Sequence, residues 1–78
     1  MSKRRSRERR ASINERRAMA GQVESRPDVN GGDPTFAGTV VRVSYVAGLV
    51  DRGWTHRRII DLLPELDAAD IDTARRFL

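Results

Sequence analysis

The 78-residue chain has no cysteine, one histidine, one tryptophan and only 5% aromatic residues. Without cysteine there is no disulfide framework and no thiolate metal site, which suits a reducing cytoplasm. A single histidine, His56, excludes a multi-histidine metal cluster. No apolar stretch approaches the roughly 20 residues that cross a bilayer, so no membrane association is expected. The basic N-terminus is followed by no apolar run, and a secretory leader is not expected either. Catalytic groupings are missing too. There is no cysteine nucleophile and no histidine–acid pair. Gly31-Gly32 lacks the downstream Gly-Lys-Ser/Thr of a phosphate-cradling loop. The expected class is a binding module that needs no cofactor, not an enzyme.

What the chain does have is charge, unevenly placed. The net charge is +4, but residues 1–26 hold nine cations against three acids, a balance of +6. Residues 27–78 hold six arginines against eight acids, a balance of −2. Such a division points to a polyanion-seeking arm attached to a near-neutral body. The arm, residues 1–26, is rich in helix formers and free of proline until Pro27. Ser12 followed by Glu15 has the spacing of a capping box. A lone helix of this length is marginal in water, so the arm is read as helical or disordered until it binds.

Residues 27–34 cluster proline, glycine, asparagine and aspartate and read as a linker. The folded domain is expected over residues 35–78. Thr35-Phe36-Ala37 and Val40-Val41-Arg42-Val43 flank Gly38-Thr39, the pattern of a tight hairpin with Gly38 supplying a positive φ. Three helices follow. Ser44 is read as the cap of the first, over 45–52, with Val46, Leu49 and Val50 facing inward and Gly53 as its C-terminal stop. Thr55 caps the second, over 56–63, which Pro64 closes. Asp67 caps the third, from residue 68 onward, with Asp70 completing an aspartate version of the capping box. Trp54 is expected to be the largest core residue. The fold class is therefore mainly α, a short β-hairpin followed by three helices. The four-residue break at 64–67 has helix-turn-helix spacing.

Residues 31–78 resemble a prokaryotic family known as the domain of unknown function 433, related to VapB-type antitoxins. The residues that carry the likeness are Gly31-Gly32-Asp33-Pro34, Gly38-Thr39, Val41, Val43, Gly53, Thr55, Ile59, Pro64-Glu65-Leu66, Asp70-Ile71 and Ala74. The resemblance implies a homeodomain-like helical fold and frequent dimerisation. It also implies the role of antitoxin in a toxin–antitoxin pair, often repressing its own operon. The arm resembles nothing in that family. Where the family has cations around the hairpin, this chain has Asp33, Ala37 and Val40, and Arg42 stands at the usual proline. Either the arm replaces that surface, or the chain has given up DNA.

The candidate nucleic-acid contacts are Lys3, Arg4, Arg5, Arg7, Arg9, Arg10, Arg16 and Arg17 in the arm, with Arg57 and Arg58 at the start of the second helix. Arginine's planar fork bridges phosphate oxygens, and the arm has no aromatics for stacking on single strands. Thr55-His56-Arg57-Arg58 sets cations at a helix N-terminus, against the macrodipole, where a phosphate or a pairing with Asp61 resolves the conflict. Asp67, Asp70 and Asp72 in the third helix argue against reading the major groove with it, while Arg75 and Arg76 lie at its far end. The leading expectation is a homodimeric, DNA-associated antitoxin-like protein with a cognate toxin as further partner. The alternative is a protein-interaction module whose basic arm folds into an acidic partner without DNA.

Overall fold

A computed structural model describes residues 12–78. Its elements, in chain order, are helix α1 (Ile13–Ala18), strand β1 (Val23–Glu24), a 3-10 turn (Asn30–Gly32), strand β2 (Thr35–Phe36), and helices α2 (Val43–Asp51), α3 (His56–Leu62) and α4 (Ala68–Arg75). The mainly helical class with an early two-stranded element agrees with the sequence reading. The candidate contacts Lys3, Arg4, Arg5, Arg7, Arg9 and Arg10 lie outside the described residues.

The hairpin differs from expectation. β2 pairs antiparallel with β1, Val23 opposite Phe36 and Glu24 opposite Thr35. The expected partner, residues 40–43, contributes one bridge only, Thr35 with Arg42. The turn between them is nonetheless formed. Phe36 N–H donates to Val41 C=O at 3.0 Å, and Gly38 has φ +78°. The second arm stops there because Val43 already begins α2, whose buried Val43, Val46, Ala47 and Leu49 recur at helical spacing. The edge of β2 is therefore covered from the N-terminal side, by residues expected to belong to the arm. Residues 12–26 are thus attached to the body ahead of the 27–34 segment.

α2 packs chiefly on α4, and α3 also meets α4. The core between them contains Phe36, Val46, Leu49, Ile59, Leu66 and Ile71. Phe36, not Trp54, is the largest fully buried side chain. Trp54 is only partly buried and packs against the edge of the cluster, because it lies in the break between α2 and α3 rather than on an inward helical face.

The helix ends follow local chemistry in most places. Thr55 Oγ1 accepts the Arg58 N–H at 3.2 Å. Asp67 Oδ1 accepts the Ala68 N–H at 2.7 Å, and Asp70 Oδ2 accepts the Asp67 N–H at 2.8 Å. Gly53 ends α2 with φ +90°, the left-handed region glycine enters without steric cost. Ser44 is not a cap. The helix starts two residues earlier, at Val43 behind Arg42, with no side-chain cap.

Candidate nucleic-acid interface

The root of the arm is built from the sequence upward. Ser12 and Glu15 form the expected capping box: Ser12 N–H donates to Glu15 Oε1 at 2.8 Å and Glu15 N–H to Ser12 Oγ at 3.2 Å. That starts α1 and turns Arg16 toward the body. Arg16 Nη2 meets Asp70 Oδ2 at 2.5 Å, with side chains 8% and 0% exposed. The other Asp70 oxygen accepts the Gly21 N–H at 2.7 Å, and Thr73 Oγ1 donates to Gly21 C=O at 2.8 Å. One buried carboxylate thus ties α1, the Gly21 turn and the start of α4 together. Removing one partner of such a pair leaves an uncompensated buried charge, so the tie resists loosening even where its net contribution is small.

Arg16 is consequently not a surface contact. The sequence places it among the arm's phosphate-binding cations, but burial and Asp70 take it out of reach of a polyanion. Its neighbour Arg17 is exposed. Arg26, near the end of the expected arm, lies 3.4 Å from Glu24.

At the start of α3 the three positions His56, Arg57 and Arg58 diverge. Arg57 is exposed. Arg58 lies over the Trp54 ring, 4.3 Å from its centroid, a contact worth about 0.5–1 kcal/mol at an exposed site. His56 Nε2 is 3.2 Å from Asp72 Oδ1, bridging α3 to α4, a histidine–acid contact that the sequence reading did not anticipate because the two residues lie 16 positions apart. The conflict with the helix dipole is thus met at Arg58 by an aromatic face. The alternative pairing of these arginines with Asp61 is not found among the described residues.

Helix α4, the recognition helix in a helix-turn-helix reading, presents less acid than the sequence suggested. Asp70 is inside, Asp67 caps the helix and Asp72 faces His56. Arg75 and Arg76 remain exposed at its end. Two departures from the family pattern meet each other: Arg42 Nε lies 3.6 Å from Asp33 Oδ2 on the surface. Among the described residues, no His, Cys, Asp and Glu grouping could hold a metal ion, and no helix is long and apolar enough to cross a membrane.

The sequence missed the Asp70 hub. Its capping-box half was legible from the Asp67/Asp70 spacing; its partnership with Arg16, 54 residues away, had no local signal. Compared with known proteins, residues 23–78 match a family model described as "Protein of unknown function (DUF433)". No curated protein and no solved structure gives a significant match.

Proposed function

The chain belongs to the DUF433 family of proteins of unknown function, and from that premise we propose that it is a small DNA-associated, antitoxin-like protein. It holds the nucleic-acid backbone with its N-terminal cations and neutralises a cognate toxin through its body. The observation that carries the nucleic-acid reading is the charge of the segment ahead of α1. Residues 1–11 contain six cations against one acid, joined to a body whose own balance is slightly negative. Such segments bind duplex DNA by displacing condensed counterions. The buried Arg16–Asp70 pair supports the reading, since it fixes the point from which those cations set out. Arg17, and Arg57 on α3, are exposed but belong to the body rather than to this segment.

Fluorescence anisotropy with a labelled duplex tests it. Across a salt titration, log K should fall against log salt with a slope of about −5, close to −0.9 for each of six phosphates neutralised. Deleting residues 1–11 should bring that slope near zero while the body stays folded. Binding that ignores salt, or survives the deletion, contradicts the DNA reading. The same deletion measured against the protein encoded next door separates the competing interaction-module reading. In that version the protein complex is lost and the full chain never binds duplex.

A further inference from the structure

Beside the arm root, two adjoining hollows of about 330 and 360 Å³ share Ile13, Arg16, Pro64 and Glu65. One reaches Arg17 and Asp67, the other Val40. Together they form a groove between α1 and the turn that leads into α4. Its walls mix charged and apolar side chains, and two of the apolar ones are exposed, Ile13 at 73% and Val40 at 40%. Among the described residues its rim carries two carboxylates, Glu65 and Asp67, against the one cation Arg17, because the charge of Arg16 is already matched by Asp70. At its floor, Arg16 Nε and Nη1 are buried without an acceptor among the described residues. The chemistry that complements this groove is an apolar side chain, carried on a cationic segment, with a carbonyl to offer.

The chain contains such a segment. Arg75-Arg76-Phe77-Leu78 leaves the end of α4 with both arginines exposed, Phe77 at 54% and Leu78 at 63% exposure. It cannot reach its own groove. The groove lies at Asp67, at the start of α4, and Phe77 lies ten residues on, about 15 Å away at the helical rise. Two copies with antiparallel α4 helices, related by a two-fold axis, would set each tail at the other's groove and bury both contacts at once. We propose that the groove is occupied by the 75–78 segment of a second copy of this chain, making a reciprocal dimer. A body this small, with no cysteine for a disulfide, has a modest core and gains most from such a partner. The proposal stands apart from the DNA reading and is tested without nucleic acid.

Analytical ultracentrifugation of the full 78-residue chain should show a concentration-dependent dimer. Ile13→Asp and Phe77→Asp, both at exposed positions, should each weaken it by at least about ten-fold, as loss of an apolar anchor does, with unchanged circular dichroism. Glu65→Arg and Arg76→Glu should each weaken it by about five-fold, a surface pair counted twice across the axis. Combined in one chain, the two reversals should recover most of that loss, since each restores the other's partner. A monomeric mass at several hundred micromolar overturns the proposal. So does a dimer indifferent to Ile13→Asp and Phe77→Asp, or a double reversal no better than the weaker single one.

Discussion

Three donors converge on the Asp70 carboxylate: the Arg16 guanidinium, the Gly21 N–H and the Asp67 N–H. Asp70→Ala strands all three and leaves Arg16 charged and buried. The expected loss is about 3–5 kcal/mol, the range for breaking a buried pair from one side. Arg16→Met should cost less, because the methionine fills apolar space while Asp70 keeps two N–H donors for its charge. Urea unfolding of the two variants gives the order directly. An Asp70→Ala protein no less stable than Arg16→Met would mean that the carboxylate does not hold the arm root.

Among the elements, α3 depends most on its ends. It is seven residues long, its one fully buried side chain is Ile59, and its N-terminal N–H groups rely on Thr55. Thr55→Ala should therefore cost about 1 kcal/mol, the usual effect of losing a threonine cap. Ser44→Ala should stay within about 0.5 kcal/mol of the parent, as an exposed change away from any cap does. Thermal unfolding of the pair separates a true cap from a residue that merely has the composition of one. The contrast also shows what the sequence could reveal. Caps at Ser12, Thr55 and Asp67, and the stop at Gly53, are written in residues within four positions of each other, and each was legible. Ser44 misled because Val43 is drawn into the core and starts the helix two residues sooner. β1 was invisible, since Val23-Glu24 is too short to show alternation and its partner lies eleven residues further on. Trp54 misled by size alone: bulk marks a residue able to fill a core, while position in a break decides that it does not. The candidate site was legible as a set of cations but not as a surface. Which arginine faces solvent depends on contacts far along the chain, as Arg16 demonstrates.

For the whole molecule, the division between arm and body has a consequence for any truncation. A chain lacking residues 1–11 keeps α1, the Asp70 tie and β1, and should melt close to the parent. One lacking residues 1–26 loses all of these, uncovers the edge of β2 and leaves Asp70 buried without its guanidinium. It should melt well below the parent or fail to fold, and differential scanning calorimetry of the two forms distinguishes the cases. Loss of binding in the longer truncation would report unfolding rather than a missing contact. The tie between residues 16 and 70 also closes nearly the entire described chain into a non-covalent hoop. Loosening of α1 and loosening of α4 are therefore felt by each other. Trimming the C-terminal helix back past Asp70 would set α1 adrift, and pulling α1 away would leave α4 without the charge that balances its first turn.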